Sequence, residues 1–223
     1  MSIARPGKII GVGRNYVEHA AELGNVVPKQ PLLFLKPPST VISDGERIVL
    51  PPESTQVEFE AEIGVVIGRP LRRGTEADAR TAIAGITCVN DVTARDLQRS
   101  DEQWTRAKGF DTFCPVGPRV VPMDPDAFET LEVRCRVNGV ERQHGRSRDM
   151  AFGIVRLISY ISQVMTLEPG DLIATGTPSG VGPLCAGDVV EVEIPGVGVL
   201  RNPVVATTSS SHPPPNPQAE RHT

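Results

Sequence analysis

Apolar residues recur along much of this chain with a period of two. Leu131, Val133, Cys135 and Val137 alternate strictly with polar neighbours, the pattern of a strand with one buried face. Asn138-Gly139 follows at once. That dipeptide suits the left-handed positions of a type I′ turn, so a hairpin is expected here. Residues 57–68 (VEFEAEIGVVIG) predict one strand, with acids alternating against apolar residues and then a β-branched run. Further strands are expected at residues 8–13 (KIIGVG), around LLFL, and at residues 85–90, 172–175 and 189–194.

Helical spacing is rarer. Ile154, Leu157, Ile158, Ile161 and Met165 form an apolar stripe, which predicts a helix capped by Asp149, running to about Met165 and stopped by Pro169-Gly170. Brief helices are expected over residues 16–23 and 76–84. Pro28, Pro31, Pro37 and Pro38 exclude any long element in their stretch. The sum is a β-rich α+β fold with a few short helices. No repeat or linker interrupts residues 1–206, which predict one domain. Residues 207–223 (TTSSSHPPPNPQAERHT) have no periodicity and little apolar content, and read as a disordered tail.

Composition narrows the function. Of 223 residues, 22% are charged and the net charge is −4, which argues against a nucleic-acid binder and its basic footprint. Aromatics at 4% give little material for stacking single-stranded bases. No apolar run approaches the length of a membrane span or signal peptide, so a soluble cytoplasmic protein is expected. Cys88, Cys114, Cys135 and Cys185 show neither CxxC spacing nor clustering with histidine, and buried free thiols are expected. His212 and His222 fall in the tail, which leaves His19 and His144 for imidazole chemistry.

Glu58, Glu60 and Glu62 alternate in EFEAE. On a continuous strand they share a face, where like charges repel unless water or a cation intervenes. A solvated acidic strand face is one reading and a cation site the other; the apolar IGVVIG that follows favours burial. Asp91 closes the next apolar strand, as a turn or cap residue or as a third carboxylate beside Glu60 and Glu62. An all-oxygen trio suits Mg²⁺, Mn²⁺ or Ca²⁺ rather than zinc or copper, and no EF-hand loop supports Ca²⁺. His19 and Glu22 share a helix face, either as an ordinary surface pair or as a base whose ring the carboxylate orients. Lys108 in RAKGFDTF is a solvated lysine or a cation for a developing oxyanion. Thr177 lies in the Gly-rich TGTPSGVG, a plain turn or a loop close to a ligand. Gly11-Val12-Gly13 lacks the third glycine of a dinucleotide loop, and no phosphate loop is present.

Six stretches in register, GRNYVEHAAELG, FLKPPST, VEFEAEIGVVIG, VNDVTARDLQ, AKGFDTFCPVGP and LEPGDLIATGTPSGVG, resemble the fumarylacetoacetate hydrolase family. The match runs from about residue 8 to 206. It is nearest the compact branch of acylpyruvate hydrolases, oxaloacetate decarboxylases and 2-hydroxyhepta-2,4-diene-1,7-dioate isomerases. The resemblance implies a roll of packed mixed β-sheets, a homodimer, and one Mg²⁺ or Mn²⁺ held by Glu60, Glu62 and Asp91. It implies a catalytic His19–Glu22 dyad on a short lid segment, and substrate contacts at Lys108, Thr177, Arg14, Arg95 and Gln98. Lys36 also matches, and Glu58 matches a position acidic in many relatives outside the ligand set. Two departures stand out: no extra N-terminal domain, and a segment between Asp91 and Lys108 shorter than in animal acylpyruvases.

The expected activity is C–C hydrolysis of acylpyruvate-type 2,4-dioxo acids, as in aromatic catabolism, with Lys108 steadying the oxyanion. Oxaloacetate decarboxylation and dienedioate isomerisation are alternatives on the same scaffold. A metal-stabilised binding protein without turnover is the remote alternative, and it would need neither the dyad nor Lys108.

Overall fold

The computed structural model describes residues 5–22 and 26–207, with backbone alone at residues 19–21. Its larger sheet orders seven strands as Leu32–Lys36, Ile9–Gly13, Leu172–Ala174, Ala61–Ile67, Ile83–Asn90, Cys114–Val121 and Val41–Ile42. Pairing is mixed: Ile9–Gly13 runs parallel to Leu172–Ala174, while Ala61–Ile67 is antiparallel to both of its neighbours. A five-stranded sheet orders Val140–Arg146, Glu132–Val137, Val189–Ile194, Gly198–Ala206 and Ile48–Leu50. Gly182–Pro183, Val57–Phe59 and Thr93–Ala94 make a third, smaller sheet.

Alternation places the core. Val133, Cys135 and Val137 point inward from one strand, and Val190, Val192 and Ile194 from its neighbour. They join Ile63, Val65, Ile86 and Cys88 of the larger sheet in one buried cluster. Helix Ile154–Val164 adds Ile154, Leu157, Ile158 and Ile161 to it, and each such side chain stabilises the fold by about 1.5–3 kcal/mol. Ile9, Val89, Cys114, Val116, Leu172 and Ala174 form a smaller cluster. In the strand Ala61–Ile67, the residues of the main core are Ala61, Ile63, Val65 and Ile67. Glu62 therefore leaves that strand on the side of Val66, which packs on the smaller cluster.

Most expected elements form. Asn138 and Gly139 have φ of 53° and 77°, and Val137 pairs with Val140 across the hairpin. Three expectations need correction. The helix begins at Ile154 behind Gly153, while Asp149 ends a 3₁₀ turn, Ser147–Asp149. Asn15 holds the intervening stretch extended: its C=O accepts from Ala151 N–H, its Oδ1 accepts from Phe152 N–H, and its Nδ2 donates to Phe152 O. Residues 57–68 make two strands, Val57–Phe59 and Ala61–Ile67, broken at Glu60. Of the cysteines, Cys88, Cys114 and Cys135 are buried but Cys185 is exposed, in the turn where its N–H donates to Asp188 Oδ2. Among the described residues no helix is long and apolar enough to cross a membrane.

Candidate active site

The break at Glu60 is fastened from two sides. Asp91 N–H donates to Glu60 C=O at 2.8 Å, and Glu60 N–H donates to Asn90 Oδ1 at 3.0 Å. The end of strand Ile83–Asn90 is thereby tied to the break. On the other side Ala61 N–H donates to Gln143 Oε1 at 3.0 Å. Gln143 Nε2 donates to Thr177 Oγ1 and to Pro178 O, each at 2.8 Å, and Thr177 Oγ1 donates to Ala61 O at 2.9 Å. Gly176 N–H then donates to Glu62 Oε2 at 2.7 Å. Gly176 has φ of +100°, and a Cβ there would lie 2.8 Å from Asn15 Cβ. Only glycine brings its N–H to that carboxylate without strain.

Glu60, Glu62 and Asp91 are buried, with one oxygen of each inside a span of 4.8 Å. Buried cations surround them. Lys36 Nζ donates to Asp91 Oδ1 at 2.6 Å; Lys108 Nζ donates to Asp91 Oδ2 at 2.5 Å and to Glu60 Oε2 at 2.9 Å. Arg95 donates from Nε to Glu58 Oε2 at 2.8 Å and from a terminal nitrogen to Glu60 Oε1 at 2.6 Å. Burial works against charge on Lys108, yet Asp91 and Glu60 outweigh it and hold the lysine's pKa above its ordinary value. Burial opposes the charge on Arg95 too, and Glu60 and Glu58 outweigh it. Glu62 goes the other way: burial, then Asp91 and Glu60, push its carboxyl well above the usual range, with Lys108 and Gly176 N–H offsetting only part. Counted formally as ionised, four acids (Glu58, Glu60, Glu62, Asp91) face three bases (Lys36, Arg95, Lys108), an excess of one acid that falls on Glu62.

Five of these groups floor a cavity of about 500 Å³. Glu60, Glu62, Asp91, Arg95 and Lys108 line it, as do Arg14, Glu22, Gln98 and Thr177. Every predicted site residue with a described side chain is therefore present. His19 lies on helix Val17–Glu22, but its side chain falls outside the described residues. Glu22 is exposed at the wall, where Gly180 N–H donates to both its oxygens at 3.1 and 3.2 Å. The sequence-based shared face of Glu58, Glu60 and Glu62 does not form. Glu58 is turned to Gln56 Nε2 and Arg95, and lies outside the trio because the strand breaks after Phe59. All three glutamates are buried, so the solvated acidic face is excluded. Thr177 borders the cavity, but its hydroxyl is engaged by Gln143 and Ala61. His144 sits apart, its ring against Glu132 at 3.3 Å.

Sequence reasoning missed Gln143, Phe34, Arg99 and Trp104. For Gln143 a signal exists: it pairs with Cys135 across the hairpin, and Cys135 is an inward position, so a polar residue there needs a buried partner. Nothing in the local pattern marks the other three as cavity residues.

Residues 8–205 match the model of the fumarylacetoacetate (FAA) hydrolase C-terminal family. The mitochondrial oxaloacetate tautomerase of Homo sapiens is 43% identical over 213 residues, covering 91% of this chain and 68% of that protein. The crystal structure of 5-carboxymethyl-2-hydroxymuconate delta-isomerase from Mycobacterium smegmatis superposes with a TM-score of 0.84 at 46% identity, over 92% of this chain and 80% of that one. For 2-hydroxyhepta-2,4-diene-1,7-dioate isomerase from Mycobacterium marinum the TM-score is 0.83 at 46% identity, over 91% and 76%. A match across nearly the whole described chain, at such identity and with such close superposition, makes this protein a member of the fumarylacetoacetate hydrolase family.

Proposed function

We propose that this protein is a divalent-metal-dependent enzyme that shifts a proton between carbon 3 and the adjoining 2-oxo oxygen of a small 2-oxo acid, as a tautomerase or isomerase. The observation that carries this reading is the buried charge network, in which Lys108 spans Glu60 and Asp91 while no described cation pairs with Glu62. The residues fit a hard divalent ion: the clustered donors are all carboxylate oxygens, and one acid is in excess. Glu60, Glu62 and Asp91 would hold it, and Mg²⁺ or Mn²⁺ bound there supplies Lewis-acid polarisation of the 2-oxo carbonyl. Lys108 keeps a positive charge at the cavity floor, where negative charge develops on the substrate oxygen. Arg95, held by Glu58, Glu60 and Gln98, does not have to reorganise as that charge appears. Glu22, with His19 three residues before it on the same helix, takes the proton from carbon 3; its return to the oxygen completes the enol. Support also comes from the relatives named above, a tautomerase and two isomerases.

A second reading is hydrolysis of 2,4-dioxo acids. It is favoured by Glu22, a carboxylate at the cavity wall whose two oxygens are already aimed by Gly180 N–H and which, with His19, can activate water. The ultraviolet absorbance of the enols of oxaloacetate and acetylpyruvate, followed with Mg²⁺ and with excess EDTA, separates the two. Accelerated enol–keto exchange of oxaloacetate that EDTA abolishes supports the proton shift. Metal-dependent loss of acetylpyruvate to pyruvate and acetate supports hydrolysis instead. Turnover of neither compound sinks both readings.

A further inference from the structure

Each carboxylate of the buried trio has one oxygen taken by a donor that is held in place. Glu62 Oε2 accepts from Gly176 N–H, which the backbone fixes. Glu60 Oε1 accepts from Arg95, itself clamped by Glu58 and Gln98. Asp91 Oδ1 accepts from Lys36 Nζ at 2.6 Å, in a pair whose side chains are 0% and 1% exposed. Each carboxylate is thereby left with one oxygen to turn to an ion.

Of the charged donors, Lys36 alone does not border the cavity. It closes strand Leu32–Lys36, in which Leu35 points outward at 51% exposure and Lys36 inward. Its ammonium also donates to Val92 O at 3.3 Å, so the side chain is anchored at two points behind Asp91. Lys108 donates to the other oxygen, Asp91 Oδ2. It borders the cavity and has room to yield to an ion, whereas Lys36 is enclosed and has none. A dication touching both oxygens of Asp91 would therefore sit close to an ammonium that cannot retreat, in surroundings where burial leaves like charges poorly screened. Bound through Oδ2 alone, it stays farther from Lys36.

We propose that Lys36 is a positioning residue that confines Asp91 to one metal-facing oxygen, and so makes the site discriminate against Ca²⁺ in favour of a smaller six-coordinate ion. This rests on the reading that Glu60, Glu62 and Asp91 hold a divalent cation. Three single oxygens leave the rest of an octahedral shell to water or ligand, which suits Mg²⁺. Ca²⁺ draws on bidentate carboxylates to reach about six to eight oxygens, and here each carboxylate has an oxygen withheld.

The test is a binding measurement that needs no turnover. Full-length protein, stripped with EDTA and dialysed, is titrated by calorimetry with Mg²⁺ and with Ca²⁺. Infrared difference spectra at one equivalent of each ion report how the carboxylates bind, because the gap between their two stretching bands is wide for one-oxygen and narrow for bidentate coordination. The unmodified protein is expected to bind Mg²⁺ at least as tightly as Ca²⁺ and to show the wide gap with both. Lys36→Met should move the ratio of the two affinities at least about tenfold toward Ca²⁺ and bring in the narrow gap on Ca²⁺ loading. Lys36→Arg, which keeps the charge, should retain the original ratio. Lys8→Met, which strips the buried Asp171 of its ammonium instead, should retain it too, so lost stability alone does not move the readout. Tighter binding of Ca²⁺ than of Mg²⁺ by the unmodified protein, a narrow gap in its spectra, or a ratio unmoved in folded Lys36→Met overturns the proposal while the metal reading stands. Should Lys36→Met not fold, the spectra and affinities of the unmodified protein decide. Binding of neither ion overturns both.

Discussion

Asp91 accepts from two buried lysines and sits against two glutamates. Asp91→Asn leaves Lys36 and Lys108 short of a full anion, and breaking such a buried pair costs about 3–5 kcal/mol. We expect a destabilisation of that order in urea unfolding, together with loss of all metal-dependent activity. Lys36→Met removes one cation from the same network without touching the cavity lining. It should destabilise the fold by a similar amount, and the double variant should fall well short of the sum, because the two residues share one interaction. Acid sensitivity is also expected outside this network. Burial would raise the Asp96 carboxyl, but hydrogen bonds from Ser54, Thr55 and Leu97 prevail and hold it at about 2. A carboxyl lowered on folding contributes stability that is complete above its unfolded value near 3.9 and is lost as pH falls toward the folded one. Asp96→Asn should therefore flatten the fall in stability between about pH 4 and pH 2, measured by denaturation across that window.

The hairpin Glu132–Arg146 and the loop around Gly176 matter to the site through a single side chain. Gln143 accepts from Ala61 N–H and donates to Thr177 and Pro178, so the five-stranded sheet braces the strand break that aims Glu60. Gln143→Leu keeps the volume but orphans a buried N–H and a buried carbonyl, at about 1–3 kcal/mol each. Its expected signature is lower stability with a fall in kcat larger than any rise in KM, checked by unfolding and steady-state kinetics side by side. Helix Ile154–Val164 plays no such part. Leu157→Ala, at its fully buried stripe, should cost about 2–5 kcal/mol and leave the kinetics of the surviving folded protein unchanged.

Across the molecule, the site joins residues from Arg14 to Thr177, so its assembly and its stability are linked. A cation that binds only the folded chain stabilises it by about 2.7 kcal/mol at a hundredfold excess over its Kd. Mg²⁺ should raise the melting temperature, EDTA should reverse the rise, and Glu62→Gln should abolish it without removing the Lys108 contacts. Alternation and turn chemistry along the chain determined the hairpin at Asn138-Gly139, the strand Val189–Ile194 and the buried stripe of the last helix, since each depends on neighbours a few residues away. The residue types at Glu60, Glu62, Asp91 and Lys108, with the family resemblance, were enough to nominate the site. Only the tertiary structure decided that the acidic strand breaks at Glu60, that Glu58 turns to Arg95, and that the last helix starts at Ile154 rather than at Asp149. It alone brought Arg99 and Trp104 to the cavity and Gln143 against Ala61 and Thr177. Each of those outcomes rests on hydrogen bonds or charges between segments distant in sequence, and no local periodicity encodes a partner that lies on another strand.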